Sequence, residues 1–198
     1  PVTLHIYGVI LGVAIAVGFG YAGKILRQAG LRSKDFDKLA WITLASGIVG
    51  ARLYHVVDYW WYYQTRLGEV VAMWNGGLGI WGAVVGGMVG LWWVTRELKR
   101  SFWPLLDAAA AALPLAQAIG RWGNYVNNEL FGTPTNSLWK MWVPVANRPE
   151  GYENIAFYHP VFLYESMLNL GLFLGLVIML KKRGWKVGSG KLLAGYLV

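Results

Sequence analysis

Apolar residues along this chain fall into long blocks separated by short polar and often basic connections. The blocks run Leu4–Gly23, Leu39–Val57, Gly76–Val94, Leu105–Ile119 and Val161–Leu180, and a sixth starts at Leu192 and continues to Val198. About 20 residues of helix cross the hydrocarbon core of a bilayer. The pattern therefore predicts an all-α, polytopic integral membrane helix bundle with five spans plus the start of a sixth. It is read as a single transmembrane domain over 1–198, with a small outer-face motif and head region at 121–160. The fourth block is short, and Pro104 and Pro114 interrupt it. A span broken by proline is expected to line a cavity, where freed backbone groups find partners.

Composition agrees with this class. Of 198 residues 56% are apolar and only 14% charged, with a mean hydropathy of +0.41, whereas a soluble domain carries roughly a quarter charged residues. Disorder, coiled coil and a disulfide scaffold each need a composition that this chain lacks. There is no Cys, so thiolate metal sites, redox motifs and a cysteine nucleophile from the chain itself are excluded. The net charge of +8 reads as membrane topology. Lys24, Arg27, Arg32, Lys34 and Lys38 follow the first block, Arg96, Lys99 and Arg100 the third, and Lys181, Lys182, Arg183, Lys186 and Lys191 the fifth. Basic residues on alternate connections mark the cytoplasmic side, which leaves 58–75 and 121–160 outside. Trp60, Trp61, Tyr62 and Tyr63 suit one interface, and Trp92, Trp93 and Trp103 the other. No nucleic-acid partner is expected, because no nucleic-acid-reading motif accompanies the charge.

Small residues recur every four positions at Gly8, Gly12, Ala16 and Gly20, and again at Gly82, Gly86 and Gly90. Such stripes predict close helix packing. Gly76, Gly77 and Gly79 crowd the outer mouth of the third block. They fit either a close approach of a lipid headgroup or a loose helix start. Neither end resembles a signal peptide. Pro1 opens almost inside a span without an initiator Met, so the chain reads as truncated.

Ionisable groups within spans are costly and by default mark function. Arg52 and His55 lie three apart, on one helical face; His5 and Tyr7 lie at the outer end of the first span, and Asp107 low in the fourth. The densest polar group is RWGNYVNNELFG, Arg121–Gly132. In a helix Arg121, Asn124 and Asn128 would share one face, with Glu129 adjacent. The planar fork of an arginine suits a phosphodiester, since it binds two oxygens at once. An internal Arg–Glu pair tying a loop to the bundle is the competing reading. His159 precedes Pro160, which holds it extended at the entrance to the fifth span. It is read as either a general base or a donor to a backbone carbonyl. Asp107 reads equally as a carboxylate that caps or pairs inside the bundle. Ser46, Ser166 and Ser189 lack the frame of a serine hydrolase, and the isolated Asp58 and Asp107 do not form a metal cluster. No metal or cofactor is expected.

These segments resemble a known family. GRWGNYVNNELFG (Gly120–Gly132) is similar to the signature of the bacterial phosphatidylglycerol–prolipoprotein diacylglyceryl transferases. WNGGLGIWG (Trp74–Gly82), HPVFLYE (His159–Glu165) and PVTLHIYG (Pro1–Gly8) match three further family segments in order. The resemblance covers essentially the whole chain. It implies an enzyme that moves the diacylglyceryl unit of phosphatidylglycerol onto the lipobox cysteine of a prolipoprotein signal peptide, forming a thioether and releasing glycerol phosphate. The implied location is the bacterial plasma (inner) membrane, multi-pass, with the active site toward the outer face. By motif matching, the resemblance implies that Arg121 is the phosphatidylglycerol-binding arginine. Asn124, Glu129 and Gly132 match other important positions, and Tyr7 a key tyrosine. Arg52 matches a family arginine and Asp107 a family aspartate. His159 matches the histidine before proline and is the expected base. Catalysis is thus assigned to Arg121, Asn124, Glu129, His159 and Tyr7, and substrate binding to Arg121, Asn128, Gly132, Arg52, Gly76 and Gly77.

Two departures matter. Trp81 stands where many members carry a histidine. Members also continue through a last span bearing another essential arginine, in a segment resembling YGxxRFxxE, and this chain ends before it. The full product is expected to have seven spans, and the 198-residue form to be inactive alone. The reading from another class is a small transporter or channel whose polar path is lined by Arg121 and Asn124. It predicts an internal repeat with paired broken helices, and neither the Arg121 motif nor the Asn75–Gly79 motif recurs.

Overall fold

The computed structural model describes residues 6–182 and 185–198, so that His5 lies outside the described residues. Among the described residues seven α-helices are formed: α1 (Ile6–Gln28), α2 (Ser33–Asp58), α3 (Trp60–Tyr63), α4 (Ile80–Glu97), α5 (Trp103–Val126), α6 (Val161–Lys182) and α7 (Lys191–Leu197). Two short strands, β1 (Met141–Trp142) and β2 (Phe157–Tyr158), pair antiparallel, with Met141 opposite Tyr158 and Trp142 opposite Phe157. Among the described residues, α1, α2 and α6 are long and apolar enough to cross a membrane. The chain divides into two compact units, Leu26–Phe102 and a second made of Pro1–Ile25 with Trp103–Val198.

The Leu26–Phe102 unit is built on α2 and α4, which meet backbone to backbone. A Cβ on Gly50 would lie 2.3 Å from the carbonyl oxygen of Gly82, and one on Gly86 2.3 Å from that of Ser46. At Gly90 it would lie 2.0 Å from Ser46 Oγ. The stripe at Gly82, Gly86 and Gly90 is therefore a packing seam, as expected where small residues let helices approach. An ion pair between Lys38 and Glu97 joins the same two helices.

The stripe on α1 behaves differently. A Cβ on Gly8, Gly12 or Gly20 would meet nothing within 4 Å. The buried face is instead that of Ala14 and Gly18, where a Cβ on Gly18 would touch the Cβ of Ala116 at 3.1 Å. Two residues along a helix is a rotation of about 200°, so the expected packing face of α1 is the opposite one.

Two further expectations are corrected. The third block does not begin its helix at Gly76, because Gly76 and Gly77 have φ of +84° and +75°, which a right-handed helix does not accept; α4 starts at Ile80. The fourth block is not broken. α5 runs from Trp103 through Pro114 to Val126. Pro104 lies in its first turn, where no amide donor is needed. Pro114 removes one donor and its ring crowds the carbonyl of Ala110, yet the helix continues through it among buried alanines (Ala108, Ala110, Ala111 and Ala112).

In the second unit, buried Ser166 Oγ of α6 donates to the carbonyl of Ala118 on α5 at 2.8 Å. Asp107 is fully buried on α5, and its carboxylate accepts the backbone N–H groups of Gly188 (2.8 Å), Gly190 (3.0 Å) and Leu193 (3.1 Å). It thus caps the turn into α7, the structural alternative for this residue. The head region has its own small core of Met141, Val143, Tyr158 and Phe162, flanked by Phe131 and Leu163.

Candidate active site

α5 carries the densest motif to its C-terminal end. Arg121 and Asn124 lie in its last two turns. Asn128 does not share their face as expected, because the helix stops at Val126 and Asn128 takes a left-handed φ of +52°. Asparagine tolerates this conformation better than most residues. The reversal folds Glu129 back: its N–H donates to the Asn124 carbonyl at 2.9 Å, and its Oε1 accepts Asn124 Nδ2 at 3.0 Å and Asn127 Nδ2 at 3.3 Å.

The chain then runs beside the entrance to α6. Gly132 N–H donates to the His159 carbonyl at 2.9 Å, and His159 N–H to the Thr133 carbonyl at 3.0 Å. A Cβ on Gly132 would lie 2.9 Å from Val161 Cγ2 and 3.2 Å from His159 Cβ, so close approach explains this glycine. His159 Nδ1 is 3.0 Å from the Tyr164 hydroxyl. Tyr7 on α1 packs on the other side of α5, where a Cβ on Gly123 would come 2.7 Å from its ring.

Arg121 meets a partner that the sequence reading did not single out. Its Nε lies 2.6 Å from Glu165 Oε2, yet off the N–H direction, so the contact is an ion pair and not an aligned hydrogen bond. Both side chains keep about a third of their surface exposed, and such pairs stabilise by about 1 kcal/mol at most. Among the described residues the two Nη groups of Arg121 make no hydrogen bond. The Arg–Glu pair considered for this motif thus exists, but it joins α5 to α6. A carboxylate inside the apolar block of α6 was the signal that could have found it. The aromatic cluster of Trp122, Tyr125 and Phe162, with ring centroids 5.1–6.4 Å apart, was also missed.

The remaining assigned residues lie in the other unit. Arg52 is buried and its guanidinium grips four carbonyls: Nε to Val70 (2.8 Å), Nη1 to Gly76 (2.7 Å) and Gly77 (2.9 Å), and Nη2 to Glu69 (2.6 Å). Its charge also lies 5.2 Å from the Tyr63 ring centroid. A Cβ on Gly77 would come 2.6 Å from the His55 ring and 2.7 Å from Arg52 Nη1, while one on Gly76 would meet nothing. These side chains, with Tyr59, Tyr62 and Glu69, border an open cavity of about 440 Å³. The Tyr62 hydroxyl donates to Glu69 Oε2 at 2.9 Å, which holds its proton above the usual phenol range. Trp81 stands exposed in the first turn of α4.

Long apolar helices with a polar arginine motif at one helix end define a helical integral membrane protein with a candidate anion site. The family model for prolipoprotein diacylglyceryl transferase matches residues 1–198, and the chain belongs to that family. It is 40% identical over 198 residues to the phosphatidylglycerol–prolipoprotein diacylglyceryl transferase of Thermosynechococcus vestitus, covering all of this chain and 73% of that protein. The enzymes of the same name from Acaryochloris marina and Synechocystis sp. are 40% and 38% identical, over 100% and 99% of this chain and 72% and 70% of their own lengths. Nothing in these relationships supports the channel reading.

Proposed function

We propose that this chain transfers the diacylglyceryl group of phosphatidylglycerol to the lipobox cysteine of prolipoproteins in the bacterial plasma membrane, with its site toward the outer face. The observation that carries the reading is Arg121, anchored at Nε beside Glu165 while its two Nη groups make no hydrogen bond among the described residues. A guanidinium held at one nitrogen presents its remaining donors as a fork for a phosphate.

The acceptor thiol loses its proton, and its sulfur forms a bond to the glyceryl carbon of the lipid. The carbon–oxygen bond to phosphate breaks, and glycerol phosphate departs with that electron pair. A free thiol titrates near about 8.5, so a base raises the reactive fraction; His159 is assigned this role. Arg121 stabilises charge developing on the leaving phosphate without a metal. Asn124 and Glu129 form the hydrogen-bonded wall beside it, Gly132 lets the following segment run against His159, and Tyr7 is assigned a part in catalysis by its motif. Asn128 is assigned to the lipid headgroup. Arg52, Gly76 and Gly77 contribute to substrate binding through the shape of their loop. α4 and α5 complete a count of five spans with the start of a sixth in α7, since α4 lies along α2 and α5 along α6.

The experiment is transfer of labelled diacylglyceryl from phosphatidylglycerol to a lipobox peptide, by the chain extended to the length of its relatives. Label is expected as a thioether and is expected to vanish in Arg121→Ala. A well-folded protein that transfers no label overturns the reading. Unchanged pH–rate profiles in His159→Gln would remove His159 from the chemistry.

A further inference from the structure

The head region carries an exposed apolar segment to which the proposed transfer assigns no role. Leu138 is 99% exposed, Trp139 63% and Trp142 56%, whereas Met141 between them is buried at 6%. Within β1 successive side chains point to opposite faces, so Met141 joins the small core with Tyr158 and Phe162 while Trp142 is left bare, and Leu138 and Trp139 stand exposed in the turn that precedes the strand.

The depth of that bare face is set by α6. β1 pairs with β2, which ends two residues before α6 begins at Val161. Trp139, Lys140 and Trp142 border the same open groove as Phe162 and Leu163, which belong to the first turn of α6. α6 is long and apolar enough to cross a membrane. The exposed rings therefore lie level with the place where a spanning helix enters the bilayer. Tryptophan prefers that boundary, where its apolar ring and its N–H are both accommodated. Lys140 supplies the matching charge, with its ammonium 4.5 Å from the centroid of the Phe157 ring. A lysine at this level extends toward anionic headgroups while its stem stays on apolar surface. Trp139 and Trp142 on one groove, with Leu138 exposed beside Trp139 in the chain, concentrate more apolar surface than contact with water alone favours.

We propose that Leu138–Trp142 is an interfacial anchor, covered by the phospholipid headgroup layer, which fixes the head region on the membrane at the mouth of α6. The inference rests on α6 crossing the bilayer and is independent of the transferase reading.

The chain has no Cys, so Leu138→Cys introduces a single thiol for a nitroxide label. Nothing packs around so exposed a side chain, and the variant should fold. In nanodiscs of phosphatidylethanolamine and phosphatidylglycerol, the label at 138 is expected to collide more with dissolved oxygen than with a water-soluble nickel chelate. A label at Glu150→Cys should show the reverse, and Trp142→Cys should repeat the result at 138. Three results would overturn the proposal. The chelate could reach 138 as freely as 150, protection could arise only after a lipobox peptide is added, or it could vanish in discs holding one copy. None of these readings depends on transfer activity, so failure of the anchor and failure of the enzyme assignment are separable.

Discussion

Arg52 and Arg121 are both cations on long helices, yet their surroundings differ in kind. Arg52 is buried and makes four hydrogen bonds to backbone carbonyls between Glu69 and Gly77. Arg121 keeps about a third of its side chain exposed and, among the described residues, has one off-axis ionic contact, with Glu165. The first is a solved packing problem: the 67–77 loop has carbonyls that need donors, and a guanidinium supplies several in one plane. The second is an unsolved one, with donors that a ligand could satisfy. Sequence position would rank both as polar residues in apolar blocks, and the difference lies in how many donors the protein itself has engaged.

The sharpest way to break this contrast is Arg121→Lys. It keeps the charge and removes the fork, so transfer should fall about 10²–10³-fold, the usual effect of removing one transition-state donor, while the thermal midpoint in detergent stays unchanged. If the lysine variant retains full activity, Arg121 contributes charge alone. Arg52→Leu should act first on stability. It orphans up to four carbonyls, each costing about 1–3 kcal/mol when buried, but the open cavity admits water to some. A net loss of about 3 kcal/mol in unfolding experiments is expected, and a midpoint equal to that of the parent would refute the clamp.

Adjacent glycines give a finer test of the same loop. Gly77→Ala adds a clash with the His55 ring and Arg52 Nη1 to a positive-φ backbone, whereas Gly76→Ala meets no atom but puts a side chain at φ +84°, ψ −156°, a region essentially reserved for glycine, at about 1–3 kcal/mol. Gly77→Ala should in addition disturb the Arg52 clamp and lower the unfolding midpoint more; equal shifts would mean the loop relaxes away from Arg52. The smallest effect is at the head region. Backbone N–H groups of Glu153 itself and of Gly151, the latter at 2.8 Å, hold the Glu153 carboxyl below its ordinary range. Its contribution is complete above the unfolded carboxylate value and is lost as pH falls through the lowered folded value. Protection of the Gly151 amide, taken relative to its intrinsic exchange rate at each pH, should fall with acid in that window, and in Glu153→Gln it should be flat across it.

Much of the helical layout was legible, because apolar blocks of about 20 residues leave few alternatives, and α1, α2 and α6 contain most of their predicted spans. The errors have local causes. Pro114 reads as a break, but it stands in a run rich in alanine, the strongest helix former, and the helix continues through it. Gly8, Gly12 and Gly20 look like Gly82, Gly86 and Gly90, yet one stripe faces away from every described neighbour and the other meets a backbone; spacing alone does not say what lies opposite. Within the site, Asn124 and Glu129 were legible as neighbours because five residues separate them. Glu165 was not tied to Arg121, which is far away in the chain, and the carbonyls held by Arg52 carry no mark in a sequence at all.

The seam between α2 and α4 has a consequence for motion. Where side chains interdigitate, helices slide by rotamer exchange, but at Gly50, Gly82 and Gly86 there are no side chains to exchange. The two helices should therefore tilt and translate together as one thick rod. Within this unit, bending is then expected in the loops at the rod's ends and not along the seam, and a single added methyl at Gly50 would pry the rod apart along its length.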